Sequence, residues 1–356
     1  MYLEKYFVSL LFPLFFFSLK AEVENLKPRY PDSIASPTNW KNESWDFSLK
    51  GNYLLWQTTQ DGLDIAWDNV YVEEYSHPYR GRTYGVSFPF RSGFQIEADL
   101  NTKVGDISLR GVYSWLSPKQ KENISQDPGI TTFPFFSVKP TERVPNSTIF
   151  VIEHTATFQQ YYNLLDLYLH RAVSFTPKLE VDFSFGIRST WQSLNWYTDE
   201  LVFTLNPITS NYLYDFTQKF AGAGPIFQIE SKIFFFKDLK FLHPLAIYFK
   251  NAYSVLLGST TVKGLLSAKS PFSFLNYFDN QTSIFSLIPV MDFSTGLYYE
   301  LSLENKRYRI QQLNFDALFE TQSWIGFNKM LSLIRGQKST YNMTVIGLTL
   351  GVEMLF

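Results

Sequence analysis

The chain has 356 residues, 18% of them charged and 18% aromatic, a formal net charge of −2 and no cysteine. A balance this close to neutral lacks the basic surplus that nucleic-acid binding requires. The absence of cysteine excludes disulfides, thiolate metal sites and cysteine nucleophiles together.

At the N-terminus, Glu4 and Lys5 precede an apolar run over 6–19 dominated by Phe and Leu, followed by Lys20 and Ala21. The run is too short for a spanning helix and predicts a secretory signal peptide over 1–21, cleaved after Ala21. Leu19 is larger than the small residue usual three positions back, which keeps an uncleaved anchor open. Residues 22–44, with Pro28, Pro31 and Pro37, read as a periplasmic N-terminal extension. No later stretch has the length of a spanning helix, so a membrane location for 45–356 has to be built from strands.

Alternation of period two then runs along the chain. In 45–56, Phe47, Leu49, Tyr53 and Leu55 alternate with Ser48, Lys50 and Asn52; in 93–100, Phe94, Ile96, Ala98 and Leu100 alternate with Gln95, Glu97 and Asp99. Further strands are predicted over 107–115, 157–173, 179–187, 218–236, 240–257, 287–303 and 308–324. The last stretch, MTVIGLTLGVEMLF over 343–356, puts Ile346, Leu348, Leu350, Val352, Met354 and Phe356 on one face and Gly347, Thr349, Gly351 and Glu353 on the other. Such a strand suits a boundary between lipid and water.

Short turns at 101–105, 174–178, 237–240 and 304–307 alternate with long segments at 57–83, 116–147, 194–217, 258–286 and 326–342. The expected fold is therefore all-β: a transmembrane antiparallel up-and-down β-barrel of about ten strands, twelve also being compatible, with short periplasmic turns and long extracellular loops, integral to the outer membrane of a Gram-negative bacterium. Outer-membrane lipid is the expected partner, and no nucleic acid is.

Several stretches carry a family resemblance. YLLWQTTQDGLDIA (53–66), YNLLDLYLHR (162–171), GIRSTWQ (186–192), FAGAGPIFQIES (220–231), FSTGLYYE (293–300) and the closing GLTLGVEMLF resemble, in order and spacing, the Legionella-type pore-forming major outer membrane proteins, a family related to chlamydial porin-like proteins. The resemblance covers most of 45–356. It implies an outer-membrane porin for passive diffusion of small hydrophilic solutes and ions, with no catalytic residue and no cofactor, and leaves a homotrimer open. Phe356 is similar to the terminal aromatic through which the barrel-assembly machinery recognises such proteins. The lack of cysteine departs from the cysteine-rich chlamydial porins and removes a disulfide-linked envelope role.

Candidate selectivity residues follow from parity. Glu97, Asp99, Arg110, Asp166, Glu180, Asp182, Arg188, Asp292, Glu300 and Asp316 face inward, as do Asp46, Lys50, Arg91, Glu230, Lys232, Lys250, Glu320 and Glu353. Acids outnumber bases, which predicts a mild cation preference in a water-filled lumen. The alternative is that acids and bases pair into a plug, leaving a structural or adhesive barrel that acts through its loops. A barrel hydrolase is the third reading, with His154 and Glu153 its best pair. The four histidines show no metal-binding spacing, so no metal site is expected. Gly222 and Gly224 read as a kink within a strand rather than a phosphate loop.

Overall fold

The computed structural model describes residues 47–61, 64–69, 83–85, 88–104, 107–125, 131–134, 149–176, 178–204, 209–235, 245–270, 273–303, 310–329 and 340–356. The signal peptide and the periplasmic extension expected over 1–44 lie outside these residues. The described residues belong to the unit Trp45–Phe356.

Its strands, in chain order, are β1 (Phe47–Gln60), β2 (Asp64–Asn69), β3 (Thr83–Gly85), β4 (Arg91–Val104), β5 (Ile107–Leu116), β6 (Lys119–Ser125), β7 (Thr131–Pro134), β8 (Ile149–Thr176), β9 (Leu179–Thr204), β10 (Thr209–Phe234), β11 (Leu245–Ser270), β12 (Ser273–Ser302), β13 (Gln312–Asn328) and β14 (Tyr341–Leu355). Eleven form one antiparallel sheet in the order β5-β4-β1-β14-β13-β12-β11-β10-β9-β8-β6; β3, β2 and β7 form a separate three-stranded sheet. The terminal strand β14 lies between β13 and β1, with Lys50 opposite Glu353 and Leu55 opposite Leu348. The alternating strand read at the C-terminus thus joins the two ends of the strand sequence.

The regular up-and-down barrel of about ten strands is corrected by these pairings. β5 pairs β4 along one edge and, through Ser108–Leu116, the Tyr162–His170 stretch of β8 along the other. Its 10 residues cannot cover the edge of a 28-residue strand, and β6 takes a further length of that edge, from Glu153 to Gln159. Among the described residues β6 has no second neighbour, and β12 pairs β13 only from Val290 to Ser302, so its first half is bonded to β11 alone. The sheet is therefore eleven-stranded and open along these edges rather than a cylinder closed along its whole height.

The long loops are corrected as well. β9 runs to Thr204 and β10 starts at Thr209; β11 runs to Ser270 and β12 starts at Ser273, so most of 194–217 and 258–286 is strand. Short strands β2, β6 and β7 occupy parts of the two earlier segments. The alternation fades in these stretches because no apolar solvent selects one face, while Val, Phe, Tyr and Thr keep the backbone extended. β4 runs to Val104 before β5 starts at Ile107, and β8 runs to Thr176 before β9 starts at Leu179, so the strands extend into the turns expected at 101–105 and 174–178; the turns expected at 237–240 and 304–307 lie outside the described residues.

The two faces differ in the way the alternation implies. Leu167, Phe185, Ile187, Leu257 and Leu287 are at least half exposed on one face, while their chain neighbours Asp166, Ser184, Arg188, Leu256 and Ile288 are buried on the other. The thirteen positions of β12 paired to β13 span about 40 Å along the strand at roughly 3.3 Å per step. A tilt of about 45° brings that close to the ~30 Å hydrocarbon core of a bilayer. β8 to β12 continue beyond this stretch.

Candidate functional site

The inner face divides along the strands into an ionic layer and an apolar layer. In the ionic layer Arg188, Arg110 and Lys50 each gather carboxylates. Arg188 on β9 stands directly opposite Asp166 on β8, and the two form a bidentate pair, Nε to Oδ1 and Nη2 to Oδ2 at 2.8 Å each. The same Nη2 lies 2.6 Å from Asp292 Oδ2 on β12, and Tyr168 OH donates to Asp166 Oδ2 at 2.9 Å. Arg188 is 1% exposed, so its charge is tolerable only because two carboxylates surround it. Removing one partner of such a buried pair costs about 3–5 kcal/mol.

Arg110 on β5 gathers a second group: Glu97 at 3.1 Å, Asp99 at 3.3 Å, Glu230 at 3.1 Å and Asp182 at 3.5 Å. His170 sits between two of these acids, Nε2 at 2.8 Å from Asp99 and Nδ1 at 2.8 Å from Asp182. The third cation, Lys50 on β1, reaches Asp316 on β13 at 2.6 Å, across β14. Gly351 on β14 makes that reach feasible: a Cβ there would come within 2.2 Å of Asn52 Oδ1 and 2.6 Å of both Asp316 carboxylate oxygens.

Hydroxyls and amides complete the layer. Ser294 donates to Glu320 at 2.9 Å, and Thr349 donates to the same carboxylate while accepting from Trp56 Nε1 at 3.1 Å. Ser48 and Asn314 donate to Glu353 at 2.9 and 2.8 Å, and Lys232 lies over the Tyr298 ring at 3.9 Å.

Farther along the strands the inner face becomes apolar. Leu54 and Trp56 of β1, Leu116 of β5, Tyr162 and Leu164 of β8, Phe220 of β10, Leu256 of β11, Ile288 and Val290 of β12, Trp324 and Phe327 of or beside β13, and Met343 and Val345 of β14 form one cluster, none more than 3% exposed. The rings meet edge to face: Tyr162 with Trp56 and Trp324, and Phe327 with Trp324 and Phe220. Tyr162 also donates to Gln322 at 2.5 Å and Gln160 to the Met343 sulfur at 3.0 Å, joining β8 to β13 and β14. Those strands lie far apart in the sheet order, so the inner face is packed against itself.

Over this cluster the end of β13 turns inward. Gly326 has φ +71°, a left-handed conformation open to glycine. Phe327 enters the cluster, and its carbonyl accepts from Gln218 Nε2 at 3.0 Å. Lys329 N donates to Gln218 Oε1 at 2.7 Å, and Lys329 Nζ donates to Ser286 Oγ on β12.

The residues read from the sequence as lumen-lining therefore lie on the inner face, but mostly in contact with one another. Asp99, Asp166, Asp182, Arg188, Asp292, Asp316, Glu97 and Arg110 all stand in the ion pairs above; Glu180 is buried and Glu300 half-buried on the same face. Phe356 follows β14, its N–H donating to Phe47 O at 3.0 Å and its ring 6.1 Å from that of Phe47. The side chains of Glu153 and His154, the pair offered for a barrel hydrolase, lie outside the described residues. Among the described residues no group of three or more His, Asp or Glu is placed to hold a metal ion. Parity missed the apolar layer; its signal in the sequence is the break in alternation at Leu54-Leu55-Trp56 and at Leu287 to Met291, where both faces are apolar at once.

An apolar outer face around a polar and packed inner face is the construction of a protein that crosses a lipid bilayer with strands. The chain belongs to the family described as Legionella pneumophila major outer membrane protein precursor, whose model matches residues 38–356. It is an integral outer-membrane protein of a family of membrane proteins rather than of enzymes. No curated protein matches it.

Among solved structures, the outer membrane protease OmpT of Escherichia coli is 11% identical over 87% of this chain and 97% of its own, with a TM-score of 0.39. A Pseudomonas aeruginosa FadL homologue is 8% identical over 87% and 90%, at 0.26. The Pseudomonas putida toluene transporter TodX is 7% identical over 90% and 92%, at 0.22.

Proposed function

We propose that this protein is a closed outer-membrane scaffold: its interior does not conduct, and it acts through the strands and segments that it raises beyond the membrane. The observation that carries this reading is the apolar cluster, in which side chains from β1, β5, β8 and β10 to β14 meet with at most 3% exposure. Ions crossing this interior would have to displace buried indole and phenyl rings, and hydrated ions are not stabilised among them. The ionic layer supports the same reading, because its carboxylates are engaged by Arg110, Arg188, Lys50 and His170 rather than left to water.

The diffusion pore with mild cation preference is the second reading, and the acid surplus of the inner face favours it. Planar-bilayer recording of the purified protein separates the two. The closed scaffold gives no discrete conductance steps in 1 M salt, about the condition at which screening would otherwise leave only a size filter. Reproducible steps with a cation-selective reversal potential would establish the pore instead.

A further inference from the structure

Where the strands leave the apolar band, the outer face changes character along two hydrogen-bonded rows. In the first, Tyr161, Ser193, Lys219, Thr261 and Ser283 stand opposite one another on β8 to β12. In the next, Lys119 on β6 is opposite Gln159, and Asn195, Thr217 and Lys263 follow across β9 to β11. Each lysine is exposed, and its outward direction is fixed by its neighbours: Gln218 and Phe220 flank Lys219 and are 1% exposed, and Val262 beside Lys263 is 0% exposed. Lys119 shares its side with Gln159, which lies between the fully buried Phe158 and Gln160. Lys121, two positions on, is exposed as well.

The surroundings give these charges a direction. Immediately on the membrane side lies a row containing Trp191, 46% exposed, and Phe285, 75% exposed, and beyond it the aliphatic band. Among the described residues neither lysine-bearing row contains a carboxylate. The outward acids of β9 and β10, Asp215 and Asp199, stand one and two rows farther from the membrane. Tyr161 OH, which accepts from Gln159 Nε2 at 2.6 Å, places a hydroxyl and an amide beside the same lysines.

We propose that Lys119, Lys219 and Lys263 form a docking collar for phosphorylated glycolipid headgroups of the outer leaflet. The ammonium groups meet the phosphates, Tyr161 and Gln159 offer hydrogen bonds to the sugar hydroxyls, and Trp191 and Phe285 mark the interface between the aliphatic band and the headgroups, where amphipathic and aromatic side chains settle. Charge complementarity selects this occupant over a neutral lipid, and the collar's continuity with the lipid-facing band selects it over a soluble anion. The proposal is independent of whether the interior conducts.

The test measures binding of bis-phosphorylated lipid A, and of the same lipid A after dephosphorylation, to the full-length protein in detergent by native mass spectrometry. The variants are Lys119→Gln, Lys219→Gln and Lys263→Gln, singly and together, with Lys178→Gln in the turn at the opposite strand ends as control. Folding of each is checked by heat-modifiable migration, and the single variants carry the test if the triple variant does not fold. Each collar substitution should weaken binding about fivefold, the change that corresponds to ~1 kcal/mol for a basic residue at an anionic membrane surface. The control should bind as the wild type does, and the dephosphorylated lipid should bind all variants alike. Unchanged binding by the collar variants, or equal binding of the two lipids by the wild type, would overturn the proposal.

Discussion

At the scale of single residues, the inner face is governed by which side chains are small enough to let charged partners meet. Gly351 and Gly51 are both strand glycines near the Lys50–Asp316 pair, yet a Cβ at Gly51 meets nothing within 4 Å whereas one at Gly351 falls among the oxygens of Asn52 and Asp316. Gly351→Ala should therefore cost about 1–3 kcal/mol through overpacking, with Asp316 pushed off Lys50. Gly51→Ala should stay within about 0.5 kcal/mol of the wild type. Urea midpoints of the folded protein in detergent measure both; equal midpoints would mean that the ionic layer yields without loss. The sequence made Lys50 and Asp316 legible as inward residues through parity. It could not make them legible as partners, because they lie on β1 and β13, which only the pairing of both with β14 brings near each other.

At the scale of elements, β14 was the most legible part of the chain because lipid on one face and polar neighbours on the other enforce strict alternation over its length. The same enforcement is absent where β8 to β12 leave the membrane, which is why 194–217 and 258–286 read as loops although the backbone stays extended there. Asn342, which the sequence assigns to a loop, lies inside β14, where its side chain accepts from Gly326 N at 3.0 Å and its carbonyl from Asp61 N at 3.0 Å. Phe356 ends the element with one backbone bond and one ring contact to Phe47. Those two contacts are a small part of the long ladder between β1 and β14, so deleting Phe356 should leave the urea midpoint of material that has already folded nearly unchanged. If the terminal aromatic is read during assembly, the yield of heat-modifiable protein in the outer membrane should still fall severalfold relative to a Lys178→Asp control. A yield equal to the control's would remove Phe356 from that role.

At the scale of the whole molecule, the outer face came through from the sequence and the filling of the interior did not. Alternation reports which residues turn inward, but whether they line water or pack on one another depends on strands far apart in the sheet, as with Tyr162 on β8 meeting Trp56 on β1 and Trp324 on β13. The chain has no cysteine, so a single introduced thiol reports its own surroundings without background. Ser254 on the inner face is 4% exposed and lies 3.5 Å from Arg188 Nη1, whereas Ser283 is exposed on the outer face of β12 beyond the apolar band. The direct measurement is the labelling rate of Ser254→Cys and Ser283→Cys by a membrane-impermeant maleimide applied to the folded protein in liposomes. A closed interior predicts rapid labelling at position 283 and labelling at 254 only after denaturation; labelling of 254 in the folded protein at a rate like that of 283 would contradict it.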